Sequence, residues 1–229
     1  MQKTKLQADK QNIFLYLKCL PEWHPVIDAH AKFFRFKKNQ ILFSEGDPVE
    51  GVYFMSHGIA KVHKQWGSDK ELIIRFAKEK DIIGHRGLST TSDTYPITAT
   101  ALTEVAVCFI SREFFDTTFR FNPEFAQSFM MFFADELRLS EQRMHDLVHL
   151  PVKARTAKAL LSLKRKFGAN PSGYLSFTLS RQDISSYIGA AYESVYKQLL
   201  EFEEAGLLKT RGKEIALHDI GGLEKIAAG

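Results

Sequence analysis

Between Phe34 and Ile110 the hydrophobic residues come in short β-branched or aromatic runs, separated by Gly, Asp, Asn and Pro at the intervals typical of β-sandwiches and barrels. Gln40-Ile41-Leu42-Phe43, Gly51-Val52-Tyr53-Phe54-Met55, Ile59-Ala60-Lys61-Val62-His63, Leu72-Ile73-Ile74-Arg75-Phe76 and Val105-Ala106-Val107-Cys108-Phe109-Ile110 read as strands. Turns fall at Glu45-Gly46-Asp47-Pro48, His57-Gly58, Gly67-Ser68-Asp69 and Gly84 with Gly87. The pattern predicts an antiparallel β-roll, preceded by a short helix around Lys10 to Leu20.

After Ser111 the period changes. Asn122-Pro123-Glu124 is a helix start, with Asn as N-cap and Pro in the first turn, and the next proline is Pro151. Ala126, Met130, Phe133, Leu137, Ser140, Met144 and Leu147 alternate four-three spacing, a seam down one side of a helix, while Phe125, Phe129, Phe132 and Leu139 give a second apolar row. A single amphipathic helix buried in its own domain would show similar periodicity. A helix from Asn122 to His149 spans roughly 40 Å, however, longer than a small domain needs. One face is expected on the roll and the other on a second copy of the chain.

Beyond Pro151 an amphipathic helix (152–167) is followed by a Gly-Ala-Asn-Pro-Ser-Gly loop and a strand candidate, Leu175-Ser176-Phe177-Thr178. Ser180-Arg181-Gln182-Asp183 opens a helix that ends at Gly189, and a second helix from Glu193 to Phe202 stops at Gly206. Two helices around a Gly-containing turn make a helix-turn-helix pattern. Leu207 to Thr210, the turn Arg211-Gly212-Lys213 and Glu214 to Leu217 add a hairpin with a basic tip, so the whole reads as a winged helix-turn-helix. The expected fold is therefore α+β: an N-terminal jelly-roll-like domain over 1–121, a dimerisation helix over 122–150 and a DNA-binding domain over 151–229.

Composition agrees with this division. The net charge is only +4, but residues 1–150 hold 19 Lys+Arg against 19 Asp+Glu and residues 151–229 hold 12 against 8, so the excess positive charge lies in the last third. No apolar run approaches the length of a membrane span, and Met1-Gln2-Lys3-Thr4-Lys5 lacks the apolar core of a signal peptide, so a cytoplasmic location away from membranes is expected. Two cysteines, Cys19 and Cys108, are too few to ligate an iron–sulfur cluster.

This order of parts resembles the cyclic-AMP receptor protein and FNR family of bacterial transcription regulators. The resemblance rests on Glu45-Gly46-Asp47 with Val52-Tyr53-Phe54-Met55-Ser56-His57-Gly58, on Asp81-Ile82-Ile83-Gly84-His85-Arg86-Gly87-Leu88, and on Leu179-Ser180-Arg181-Gln182-Asp183-Ile184 through Gly206-Leu207-Leu208. It implies a homodimer that binds a pseudo-palindromic site in double-stranded DNA and meets RNA polymerase. The family's recognition helix falls on Tyr192-Glu193-Ser194-Val195-Tyr196-Lys197. Glu193 matches and suits a cytosine amine; Lys197 replaces an arginine, and Tyr192 departs from the pattern. Ser180, Arg181, Gln182 and Ser194 match positions that clasp phosphates.

The resemblance weakens at the effector pocket, expected around Gly84, His85, Tyr95, Pro96, Ser140 and Glu141. Cyclic-AMP binders have a Glu for the ribose where this chain has His85, and an Arg-Ser pair for the cyclic phosphate where it has Tyr95-Pro96. Proline has no amide hydrogen and tyrosine no positive charge. Ser140 still offers a hydroxyl to an adenine, beside the added acid Glu141. The effector is thus open but not expected to be cyclic AMP; Arg75 and Arg86 are the remaining cations that could take its phosphate. Alternatives are a haem-based sensor of the same family with His85, Cys108, His145 or His149 as axial ligand, an interaction module that no longer binds DNA, and a cupin-like metal enzyme. For the last, His57, His63 and His85 lack the needed spacing.

Overall fold

A computed structural model describes residues 2–3, 10–67 and 70–229, with side chains from residue 10 onward. Ser68 and Asp69 of one expected turn, and Met1, Thr4 and Lys5 of the polar start, lie outside the described residues. The chain divides into two compact units, Met1–Glu136 and Leu137–Gly229. No helix among the described residues is long and apolar enough to cross a membrane.

The first unit contains β1 (Gln2–Lys3), α1 (Phe14–Lys18), α2 (His24–His30), β2 (Lys32–Phe36), β3 (Ile41–Phe43), β4 (Gly51–His57), β5 (Ala60–Trp66), β6 (Lys70–Ala77), β7 (Ile82–Ile83), β8 (Thr98–Ala101), β9 (Val105–Ser111) and α3 (Arg112–Phe121). It also holds the start of α4 (Pro123–His149). The strands form two antiparallel sheets, ordered β1-β2-β9-β4-β7 and β3-β8-β5-β6. Alternation along β4 and β9 explains how one sheet serves two cores. Tyr53, Met55, Val105, Val107 and Phe109 point into the roll, whereas Val52, Phe54, Cys108 and Ile110 point outward. The outward side packs on Ile13, Leu15 and Ile27 and on the phenylalanines Phe114, Phe115, Phe125 and Phe129 of α3 and α4.

Local structure before the roll differs from the expected single helix. Lys10–Asn12 is a 3-10 turn, α1 is short, and α2 follows with its proline in the first turn, where no amide donor is missed. α3 was not foreseen at all; Ser111 caps it by accepting the Phe114 amide at 3.2 Å. Asn122 precedes α4 as expected, but its side chain accepts the Leu20 amide and donates to Thr118, binding three segments together.

The second unit contains the rest of α4, α5 (Val152–Phe167), α6 (Arg181–Ile188), α7 (Tyr192–Glu204), the hairpin β10 (Leu208–Arg211) and β11 (Glu214–Leu217), and α8 (Ile220–Ala228). Ala157, Leu160 and Leu163 of α5, Ile184 and Ile188 of α6, Val195, Leu199 and Phe202 of α7 and Leu223 of α8 are all buried. α8 was unforeseen because Gly221 and Gly222 disfavour a helix; Asp219 starts it by accepting the Gly222 amide at 2.8 Å. The strand expected at 175–178 does not form. Asn170 takes the Ser172 and Tyr174 amides, Ser176 donates back to Gly168, and only isolated bridges at Tyr174 and Leu175 remain.

Candidate functional site

In the second unit the local geometry fixes the turn between α6 and α7 from behind. Ser180 caps α6, its Oγ accepting the Asp183 amide at 2.9 Å and donating to the Asp183 carboxylate at 2.5 Å. Gly189 closes α6 at φ +70°, where a side chain would be strained. Arg155 of α5 donates to the Ile188 and Gly189 carbonyls, each at 3.2 Å. Arg143 of α4 donates to the Tyr187 carbonyl and lies 4.4 Å over its ring.

So held, α7 turns Tyr192, Glu193, Ser194, Tyr196 and Lys197 to solvent. Gln182 is exposed at the start of α6, while Ser180 and Arg181 are half-buried and already have partners. Arg181 donates to the Gly212 carbonyl at 2.9 Å and the Lys213 carbonyl at 3.5 Å, tying α6 to the hairpin tip. Glu203 of α7 accepts the Thr210 amide and hydroxyl at 2.7 and 2.8 Å. The wing is thereby braced from two helices, with Lys209, Arg211 and Lys213 exposed on it.

In the first unit the expected pocket residues divide. Tyr95 is buried inside the roll; its hydroxyl donates to the Gly51 carbonyl at 2.7 Å, and its ring lies 4.2 Å from that of Phe43. Phe43, Tyr53 and Phe109 complete an aromatic filling. Gly84 has φ +83°, and a Cβ there would meet both tyrosine rings at 3.3 Å. Pro96, against expectation, is exposed. Its neighbour Tyr95 points inward, while Pro96 lies in the bend before β8. Ser140 and Glu141 belong to the second unit.

His85 is 2% exposed, edge-on to Phe132 and Phe133. Glu136, which sequence reasoning missed, sits beside it: Oε2 lies 3.9 Å from His85 Nε2, 3.1 Å from Arg75 Nε and 3.5 Å from Arg86 Nη2. Burial, then the charges of Arg75 and Arg86, hold His85 well below the ordinary histidine value. Phe133, assigned to the seam, is therefore shared with this cluster. His63 is a structural histidine, with Nε2 2.9 Å from Thr100 Oγ1 and Nδ1 2.9 Å from Glu71. Among the described residues no three His, Cys, Asp or Glu side chains converge as metal ligands would. Burial, with a smaller push from the Asp28 carboxylate, raises the Cys108 thiol to about 12.

Residues 33–120 match the family profile of the cyclic nucleotide-binding domain, and residues 154–226 that of the Crp-like helix-turn-helix domain. Transcriptional activator protein FnrA of Stutzerimonas stutzeri is 31% identical over 195 residues, which are 84% of this chain and 79% of the relative. The CRP-like cAMP-activated global transcriptional regulator of Mycobacterium tuberculosis is 28% identical over 188 residues, 80% of this chain and 83% of the relative. FixK2 from Bradyrhizobium japonicum has the same fold, with a TM-score of 0.77 at 24% identity over 87% of this chain and 98% of that one. Roll, braced wing and sequence likeness agree, and the relatives are regulators rather than enzymes: the chain belongs to the Crp/Fnr family of transcription regulators.

Proposed function

We propose that this chain is a homodimeric, cytoplasmic regulator that binds a pseudo-palindromic DNA site. In this reading residues 1–121 form the sensor, 122–150 the dimerisation helix and 151–229 the DNA-binding domain, which meets RNA polymerase at its targets. The observation that carries it is the exposed polar row of α7, Glu193 with Lys197, beside a wing whose basic residues also face solvent. Glu193 accepts from a cytosine amine, Lys197 contacts guanine or phosphate, and Ser180, Arg181, Gln182 and Ser194 sit along the backbone. Arg181 has five donors, so its two carbonyl contacts leave others for a phosphate.

Cyclic AMP is not the effector in this reading. Tyr95 with its aromatic neighbours fills the roll, and Arg75 and Arg86 already face the Glu136 carboxylate. Selection of binding sites from a randomised duplex library tests the DNA reading. Glu193→Ala should relax preference at one base pair per half-site, a change of about 1–3 kcal/mol in discrimination, whereas Arg181→Ala should weaken all sequences alike. An unchanged motif with Glu193→Ala would remove Glu193 as a base reader.

A further inference from the structure

The recognition helix exposes more apolar surface than its polar contacts account for. Tyr192 and Tyr196, one turn apart on α7, are 41% and 46% exposed, with ring centroids 6.0 Å apart and planes 5° apart. Tyrosine rings dominate cores and interfaces because they bury a large apolar area. Here two parallel, stacked rings form an apolar ledge in solvent. Helical spacing puts the ledge between the Glu193–Lys197 ridge and the buried row Val195, Leu199 and Phe202.

Such a ledge needs an occupant. It is continuous with the ridge proposed to enter the major groove, and the domain presents Lys197 beside it and Lys209, Arg211 and Lys213 on the wing, so the occupant is DNA. The apolar feature that the major groove offers is the thymine C5-methyl group. We propose that the Tyr192–Tyr196 ring pair reads thymine methyl groups in each half-site, next to the base pair addressed by Glu193. This specificity rests on the reading of α7 as the recognition helix. Cytosine at the same place would present no methyl to the rings.

Replacing thymidine by deoxyuridine removes the methyl and leaves base pairing intact, so it isolates this contact. The full chain is first given a randomised library to define its motif. The selected duplex is then resynthesised with deoxyuridine at one thymine at a time, and affinity is read by fluorescence anisotropy for wild type, Tyr192→Ala, Tyr196→Ala and Tyr196→Phe. Wild type and Tyr196→Phe should lose about fourfold per methyl at one or two thymines of each half-site. Tyr192→Ala and Tyr196→Ala should bind the thymine duplex more weakly and stop distinguishing uracil at those places. Both side chains are exposed, so an unchanged thermal midpoint is expected and verifies the fold.

Wild-type indifference to every deoxyuridine, or undiminished sensitivity in both alanine variants, would overturn the proposal. A loss in Tyr196→Phe as large as in Tyr196→Ala would also overturn it, by assigning the contact to the hydroxyl. A motif without methyl sensitivity removes only the ledge; failure to select any motif removes the recognition helix as well.

Discussion

At the scale of single residues, the cluster around His85 makes stability depend on pH in a defined direction. Three charged groups face the imidazole: Arg75 from β6, Arg86 beside it in the chain and Glu136 from α4, with Asp81 4.0 Å from Arg75. Burial and the two arginines outweigh the Ile82 backbone hydrogen bond and keep the ring neutral. An unfolded histidine takes a proton below about pH 6.5, whereas folded His85 does not until much lower. The stabilisation is therefore complete above that value and declines as the pH falls below it. Between pH 7.5 and 5.5 wild type should lose on the order of 1 kcal/mol more stability than His85→Gln, measured by urea unfolding. Equal losses in the two proteins would show that His85 is not held neutral. None of this was legible locally, because Glu136 on a long helix reads as a solvated acid; only folding brings it to Arg75 and Arg86.

At the scale of elements, α4 divides its apolar residues between two surfaces. Phe125 and Phe129 are buried on the roll, while Met130, Leu137, Met144 and Val148 are between 59% and 72% exposed. In the proposed dimer a second copy lies along this stripe and removes it from water. Phe133 is a poor probe of that interface, since it also contacts Phe129 and His85. Leu137→Asp with Met144→Asp is cleaner: unpaired charges in the seam should give monomers in sedimentation velocity. A double variant that still dimerises would place the interface elsewhere. The exposed stripe was readable because a four-three period belongs to a helix, just as short β-branched and aromatic runs between turn residues gave the strands of the roll. α3 escaped because Arg112–Phe121 is short and rich in aromatic and β-branched residues, which masked the helical spacing of its buried Phe114, Phe115 and Thr118. The helix-turn-helix was legible because Ser180 caps α6, Gly189 ends it and Gly206 follows α7.

At the scale of the whole molecule, the roll and the DNA-binding domain answer different questions about chemistry. A cyclic phosphate diester brings a full negative charge, and removing it from water needs a cation in reply. Tyr95 offers none, and the nearest arginines are engaged with Glu136. Calorimetry with cyclic AMP should show no saturable binding in the micromolar range, and DNA affinity should be the same with and without it. Micromolar binding with a marked gain in DNA affinity would mean that Arg75 or Arg86 leaves Glu136 for the phosphate. The central claim, a dimer that places two recognition helices on one duplex, is tested most directly by the mass of the protein–DNA complex. A duplex with two half-sites one helical turn apart should bind two chains, and a duplex with one half-site should bind far more weakly. One chain per duplex, with equal affinity for single and paired half-sites, would contradict it.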